Sequence, residues 1–208
     1  MTEELTVVGC GPGHPDWVLP AARLAVGRCR VVVGSARLAS LFPEFPGRIG
    51  SPDGSAAQLD LALELHAAGE RVALLVSGDT AVCSLASKAV ACLGEKRCRL
   101  IPGISSVQLA LARVGRTRAV CTATLHAPDR LDWNPAEVRR LGGLAVLLGR
   151  PGLHPQLGRI RDELGAGWRT SIARDMALET ESVTTWDGGE IDTSGLAIAL
   201  FLREGEGP

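Results

Sequence analysis

Three hydrophobic runs in the first half of the chain are each followed by a loop rich in glycine, proline or serine. The runs LTVV, VALLV and CRLI lead into the loops at residues 9–13, 77–80 and 102–106, and each loop leads toward a helix-like stretch. Continuous Val, Ile and Leu runs are typical of strands that are buried on both faces of a parallel sheet. Because loops at the carboxyl ends of parallel strands line one crevice, the pattern predicts a small-molecule site shared by three loops.

Strand and helix candidates alternate along the whole chain, which predicts an α/β fold with a largely parallel first sheet. Strands are expected at residues 5–9, 30–34, 71–76, 97–101, 119–124, 144–148, 170–173, 182–186 and 197–202. Helices are expected at residues 20–28, 35–41, 55–68, 81–93, 106–114, 135–141 and 154–164.

The short basic segment ARVGRTR, residues 112–118, interrupts this alternation, and fresh strand candidates follow it. The last two strand candidates have no convincing helix between them, which favours a mixed sheet in the second half. We therefore predict two α/β domains, 1–114 with the glycine and proline loops and 115–208 with the mixed sheet.

Composition excludes several classes of function. The 208 residues carry a net charge of −1, which gives no bulk attraction to nucleic acid or to a membrane. Tyrosine is absent and only three phenylalanines occur, so stacking platforms for single-stranded nucleic acid are not expected. The six cysteines form no C-x-x-C pair, which argues against a zinc site, any other protein-bound metal and a disulfide framework. The N-terminus lacks a signal-peptide pattern and no apolar run could span a membrane, so we expect a reduced, cytoplasmic setting.

The first loop resembles a dinucleotide-binding fingerprint only in part. Gly9 and Gly11 fit G-x-G, but His14 stands at the third glycine position and Pro12 delays the helix. No acidic residue follows the second strand candidate, so a nicotinamide-binding Rossmann site is disfavoured. The glycines permit a turn with positive φ, or a close backbone approach to a ligand or to a neighbouring loop.

The other two loops each have a structural and a functional interpretation. Ser77, Asp79 or Thr80 could cap a helix that begins near residue 81, or Gly78 and Asp79 could contact a ligand. Ser105 or Ser106 could likewise cap the next helix or contact a ligand. There is no G-x-x-x-x-G-K, so a phosphate-binding P-loop is excluded.

Cysteine and histidine are two further residue types with candidates for a functional role. Cys83 is expected just inside a helix N-terminus, as a small buried residue or as a thiol of lowered pKa. His66 is expected to be solvated on its helix. His126 follows a strand candidate and is a candidate for the wall of a substrate site.

Taken together, in this order and spacing, the three loops resemble the tetrapyrrole methylases, a family of S-adenosylmethionine (SAM) methyltransferases. The family pattern is V-G-x-G-P-G, then S-G-D-P or G-G-D-P, then I-P-G-I-S-S; this chain has VVGCGPG, VSGDT and IPGISS. The segments VVGSARLASLFPEF, SGDTAVCSLASKA and IPGISSVQLALARVG are most similar to members that methylate C5 of cobalt-precorrin-7. Three departures stand out, namely Leu19 for a common threonine, Thr80 for the usual proline and Cys83 for a common aromatic residue.

The resemblance implies a two-domain fold that holds SAM, a homodimer, and C5 methylation of a corrin-pathway tetrapyrrole in cobalamin biosynthesis. It also implies a separate protein for the C15 step. The residues it implies for SAM binding are Gly11, Pro12, Gly13, Ser77, Gly78, Asp79, Ser105, Ser106, Leu148 and the segment Asp175, Met176, Ala177. The substrate carries many carboxylates, and the arginines proposed for them by position are Arg37, Arg113, Arg116 and Arg118.

No catalytic acid or base is identified, and the chemistry of a sulfonium methyl donor requires mainly alignment and exclusion of water. Three alternatives stay open at this point: methylation of another corrin position, methylation of a modified histidine as in the diphthine synthases, and a noncatalytic nucleotide-binding module. The departures at Thr80 and Cys83 keep the last of these open.

Overall fold

The computed structural model describes residues 4–125, 133–149, 154–191 and 196–205. The chain divides into two compact units, Met1–Ser106 and Val107–Pro208. The boundary predicted between residues 114 and 115 lies on the far side of the helix that begins at Ser106.

A parallel five-stranded sheet forms the centre of the first unit. Its strands are β1 (Leu5–Gly9), β2 (Val31–Val33), β3 (Arg48–Gly50), β4 (Val72–Val76) and β5 (Cys98–Ile101). They lie in the order β3-β2-β4-β1-β5, which confirms the predicted parallel sheet. The sequence did not reveal β3, because this short strand at the sheet edge reads Arg-Ile-Gly and is largely exposed.

The helices of this unit cover both faces of the sheet. They are α1 (Pro20–Gly27), α2 (Ala36–Ala39), α3 (Ser55–Ala67) and α4 (Ala86–Leu93). Successive strand residues point to opposite faces, so α1 and α2 pack against Val8 and Cys10 while α3 and α4 pack against Val7 and Val76. Proline at the first position of α1 and the Ser35 cap of α2 fix where these helices begin.

Helix α4 begins five residues later than predicted, at Ala86 instead of residue 81. The intervening segment is a turn in which Cys83 has a φ of 49°, a left-handed conformation that no helix residue adopts. The expectation that Cys83 lies inside a helix N-terminus is therefore wrong, and its side chain is exposed. His66 was expected to be solvated, but it is buried on α3, whose inner face packs against the sheet.

A mixed five-stranded sheet forms the centre of the second unit, as predicted. Its strands are β6 (Cys121–Leu125), β7 (Gly143–Leu148), β8 (Trp168–Arg174), β9 (Ser182–Thr185) and β10 (Ala197–Arg203). The order is β6-β7-β10-β8-β9, with β6 and β7 parallel and the other pairs antiparallel.

Three further helices are α5 (Ser106–Arg113), α6 (Pro135–Leu141) and α7 (His154–Leu164). Phe201 and Leu144 are fully buried in the core of the second unit, together with Leu157 of α7. Among the described residues, no helix is long and apolar enough to cross a membrane.

Candidate active site

The loops that follow β1 and β4 leave the first sheet in opposite directions. The two strands are neighbours, yet β1 leads to α1 on one face of the sheet and β4 leads to α4 on the other. Such a switch in direction opens a crevice at the carboxyl ends of the two strands, and ligands of open α/β sheets bind there. The first two predicted loops lie at this switch point.

Gly11 and Gly78 join these two loops through a pair of backbone hydrogen bonds. The Gly11 N–H donates to the Gly78 carbonyl at 3.1 Å, and the Gly78 N–H donates to the Gly11 carbonyl at 2.8 Å. Both N–H groups are therefore used within the protein. The positive φ values of the two residues, 74° and 67°, are conformations that glycine adopts without strain.

The third loop meets the other two at Gly103, where three backbones pack without side chains. A Cβ on Gly103 would overlap the Gly78 carbonyl oxygen, and a Cβ on Gly9 would lie 2.7 Å from the Gly103 nitrogen. A Cβ on Gly11 would lie 2.6 Å from the carbonyl oxygen of Trp17, within the first loop. Approach to a neighbouring loop, one of the two interpretations of the glycines, is thus confirmed for Gly9.

Asp79 fastens the second loop to the third. Its Oδ2 accepts a hydrogen bond from the Gly103 N–H at 3.0 Å, and its Oδ1 accepts one from the Ala81 N–H at 2.8 Å. The second bond closes a turn and does not cap a helix, so the helix-capping interpretation of Asp79 is wrong. A contact between Asp79 and a ligand stays a prediction.

The remaining predicted residues of these loops differ in exposure. Ser77 is exposed, whereas Ser105 is buried and Ser106 is half-buried at the first position of α5. Pro12 is buried and Gly13 is half-buried. The hydroxyl of Ser77 is therefore a side-chain group of this edge that solvent or a ligand can reach.

Arg37 reaches this edge from α2. Its Nη2 lies 3.5 Å from the Ser77 Oγ, at the outer limit of a hydrogen bond, and its Nη1 lies close enough to Gly13 to overlap a Cβ added there. Arg37 is an exposed residue, although partial burial of its guanidinium lowers its pKa. Among the described residues, Arg37 has no carboxylate within ion-pair distance.

The other arginines proposed for substrate binding lie in the second unit. Arg113 forms an ion pair with Glu181, and Arg116 donates to the carbonyl oxygens of Leu141 and Gly142 at 2.8 and 3.2 Å. Arg118 is exposed between α5 and β6. His126 lies outside the described residues. Arg113 and Arg116 therefore have partners inside their own unit.

The residues of the second unit that were predicted to bind SAM are Leu148 and three residues of the turn after β8. Leu148 and Met176 are buried, while Asp175 and Ala177 adopt positive φ values of 48° and 70°. Glu181 holds this turn, because its Oε2 accepts from the Ala177 N–H at 2.6 Å and its Oε1 accepts from Arg113 Nε.

The pKa of Glu181 lies below its ordinary value, mainly because Arg113 donates a hydrogen bond to its carboxylate. The Ala177 N–H lowers this pKa further. Sequence reasoning missed Glu181. Its only signal was an acidic residue placed just before a strand candidate.

A groove on the first unit lies away from these loops. It has a volume of about 500 Å³ and lies between α1 and residues 42–46, lined by Arg23, Val26, Gly27, Phe42, Pro43, Glu44, Phe45 and Pro46. None of the predicted site residues lines it, so topology and not groove size identifies the candidate site. Within the described ranges, no group of three or more His, Cys, Asp or Glu side chains could hold a metal ion.

The sequence model of the tetrapyrrole (corrin/porphyrin) methylases matches residues 4–192. This chain belongs to the tetrapyrrole methylase family. The family resemblance of the three loops is thereby confirmed, and so is the predicted α/β fold. Members of this family are SAM-dependent methyltransferases.

Two curated proteins illustrate the similarity. The chain is 32% identical over 114 residues to the cobalt-precorrin-7 C(5)-methyltransferase of Salmonella typhimurium, which covers 53% of this chain and 55% of that protein. It is 30% identical over 154 residues to the cobalamin biosynthesis protein CobIJ of Mycobacterium tuberculosis, which covers 70% of this chain and 30% of that protein. The matched region thus spans about half or less of each relative.

A solved structure shows the same fold. The uroporphyrin-III C-methyl transferase from Thermus thermophilus, complexed with S-adenyl homocysteine, aligns with a TM-score of 0.74 at 19% sequence identity. The alignment covers 95% of this chain and 96% of that one.

The described residues at the carboxyl edge of the first sheet suit the SAM expected in a tetrapyrrole methylase. SAM carries ribose hydroxyls, an ammonium group and a carboxylate. The exposed Ser77 hydroxyl can exchange hydrogen bonds with such groups, and the Arg37 guanidinium, which has no carboxylate partner among the described residues, suits an anion.

Proposed function

We propose that this protein is a SAM-dependent C-methyltransferase of corrin-pathway tetrapyrroles that acts at C5 of cobalt-precorrin-7. The similarity to the Salmonella typhimurium cobalt-precorrin-7 C(5)-methyltransferase supports the choice of this substrate. The observation that carries the enzymatic proposal is the set of three loops fastened together at the switch point between β1 and β4. The setting we propose is the cytoplasm.

The chemistry explains why methyl transfer from SAM does not require an acid and base pair. SAM, when bound, supplies a methyl group on a positively charged sulfur, which a nucleophilic ring carbon attacks directly. The protein must align donor and acceptor and keep water away. The hydrogen bonds of Asp79, Gly11 and Gly78 serve this purpose, because they fix the loops before any ligand binds.

We propose that SAM contacts the first unit through Pro12, Gly13, Ser77 and Ser106, with Gly11, Gly78, Asp79 and Ser105 holding or contacting it from the same loops. From the family resemblance, Leu148, Met176 and Ala177 of the second unit remain proposed contacts of the adenosine part.

The first experiment measures binding of S-adenosylhomocysteine to the purified protein by calorimetry, with NADH as the control. We expect micromolar-range binding of S-adenosylhomocysteine and no response to NADH. Radiolabelled methyl transfer is then compared between cobalt-precorrin-7, other corrin intermediates and a protein acceptor. Transfer to cobalt-precorrin-7 supports the proposal. Tight binding with no transfer to any acceptor would contradict it and favour a noncatalytic module.

A second candidate is methylation of another corrin position. It is favoured by the similarity to CobIJ, which extends over 70% of this chain, further than the similarity to the Salmonella protein. The same assay distinguishes the two, because the labelled product carries its methyl group at a different ring carbon. We also propose a homodimer, for which light scattering after size exclusion should give twice the 21.8 kDa mass of one chain.

A further inference from the structure

Arg37 places a guanidinium at the candidate site, and none of the described carboxylates forms an ion pair with it. The residue lies on α2, directly after β2, and β2 is the neighbour of β4 in the sheet. The side chain therefore reaches Ser77, which is 40 residues further along the chain and follows β4. On its other side the guanidinium lies against Gly13 of the first loop. It thus touches two of the three loops.

Arg37 is exposed as a residue, so a ligand can reach its guanidinium, and where the guanidinium lies against Gly13 and Ser77 it gains no opposite charge from these loops. Taking a charge partly out of water costs free energy unless an opposite charge or good hydrogen bonds compensate it. Among the described residues, the hydrogen bond of the Arg37 guanidinium to a polar side chain is the weak one to Ser77 Oγ at 3.5 Å. Arg113, by comparison, has the carboxylate of Glu181.

Cys10 lies near Arg37, but it does not supply the missing charge. Burial raises the pKa of the Cys10 thiol to about 12, so the thiol is neutral at pH 7. The fall in the pKa of Arg37, caused mainly by burial, agrees with a cation that lacks a partner.

We infer that Arg37 binds a carboxylate of the ligand held by the three loops, with Ser77 and Gly13 positioning its guanidinium. The inference rests on the proposed function and names the group of the ligand that this residue recognises. Two parts of the reacting pair have this chemistry, the methionine carboxylate of SAM and the carboxylates of the tetrapyrrole. Guanidinium binds carboxylate through two parallel hydrogen bonds, which lysine cannot reproduce.

The test compares the wild type with Arg37→Gln, Arg37→Lys and Ser77→Ala. Calorimetry measures the affinity for S-adenosylhomocysteine, and fluorescence quenching measures the affinity for uroporphyrin, a soluble porphyrin with eight carboxylates. Arg28→Gln is the matched control, because Arg28 is an exposed arginine of the same unit that lines a small groove with Glu4 and Arg71, away from the loops.

We expect Arg37→Gln to lower the affinity for one of the two probes by about tenfold or more, the factor typical of a lost charge-assisted hydrogen bond. Arg37→Lys should recover only part of the lost affinity. Ser77→Ala should bind about threefold more weakly than the wild type, because the guanidinium is less well positioned. The affinities of Arg28→Gln should equal those of the wild type. If only the affinity for S-adenosylhomocysteine falls, Arg37 binds the methionine carboxylate of SAM. If only the affinity for uroporphyrin falls, Arg37 binds a carboxylate of the tetrapyrrole.

Equal affinities of the wild type and Arg37→Gln for both probes would overturn the inference and leave the proposed function intact. If the wild type itself bound neither probe, the proposed function would fail, and the inference with it. Thermal unfolding of each variant is measured first. If Arg37→Gln does not fold, Arg37→Lys decides the question by the same two affinities.

Discussion

The carboxylate of Asp79 accepts a hydrogen bond from the backbone N–H of Gly103, 24 residues further along the chain, at 3.0 Å. Its other oxygen binds the Ala81 N–H. The Asp79 side chain therefore uses one oxygen to close the turn of the second loop and the other to join this loop to the third. The Gly103 N–H of the third loop has this carboxylate as its acceptor.

Asp79→Ala is expected to lower the free energy of unfolding by about 1–3 kcal/mol, since two N–H groups lose a charged acceptor. Asp79→Asn should behave similarly, because its NH₂ group would face one of the two donors. Urea unfolding measures the change, and calorimetry should show weaker binding of S-adenosylhomocysteine by a folded variant. Asp16→Ala is the control at an exposed carboxylate of the same unit. Unchanged cofactor affinity in Asp79→Ala would contradict this role.

Gly103→Ala is expected to destabilise the protein through backbone overlap. The added Cβ would overlap the Gly78 carbonyl oxygen and lie 2.8 Å from the Gly9 carbonyl carbon, and neither is the end of a flexible side chain. Overpacking of this kind costs about 1–3 kcal/mol, which thermal or urea unfolding would detect.

Gly27→Ala, in α1, is the control for this substitution. A Cβ on Gly27 meets no atom within 4 Å, and alanine favours a helix over glycine by about 0.5–1 kcal/mol. The two Gly→Ala changes should thus have opposite signs. Equal stability of the two variants would show that the contact of the three backbones is not tight.

Glu181 should make stability depend on pH in the acidic range. Its pKa lies below the ordinary value of 4.5, so the folded state favours the carboxylate. That contribution is present above about pH 4.5 and is lost as the pH falls through the lower pKa of the folded protein. The difference in unfolding free energy between the wild type and Glu181→Gln should therefore shrink below this pH.

Glu179→Gln, an exposed residue of the same turn, controls for the change in net charge. A difference between the wild type and Glu181→Gln that stayed constant from pH 7 to pH 3 would contradict the role of the Arg113 contact.

Cys10 should resist alkylation in the folded protein. Burial raises the pKa of its thiol to about 12, and the thiolate is the form that reacts. With iodoacetamide at pH 8, peptide mapping should show modification of the exposed Cys92 well before Cys10. In urea the two should react at similar rates. Equal rates in the folded state would show that Cys10 is not enclosed.

Most strands and helices could be predicted, because the residues of each lie in surroundings that match their hydrophobic pattern. Continuous Val and Leu runs are buried on both faces of the first sheet, and Pro135 and Asn134 mark the start of α6 at the predicted residue. Strand β3 could not be predicted, because its place in the sheet is decided by pairing with β2 and not by its own Arg-Ile-Gly sequence. The start of α4 was missed because a left-handed Cys83 has no sequence signature.

The position of the candidate site could be predicted from the sequence, but the role of each of its residues could not be predicted. The loops at Gly11, Gly78 and Gly103 were identified correctly as neighbours. Only the structure shows that Gly9 and Gly103 are small because they face each other, since this depends on the register of β1 and β5. Arg37 looked no different from Arg113 in the sequence. Their partners distinguish them, and partners are set by tertiary contacts.

The central position of β10 has a consequence for the order in which the protein can form on the ribosome. The first unit can assemble once its strands have emerged, whereas the second sheet lacks its middle strand until residues 197–203 are made. Until then β7 and β8 have no partner between them, and both would present unpaired edges. A nascent chain arrested before residue 197 should therefore carry a protease-resistant first unit and a second unit that depends on chaperones.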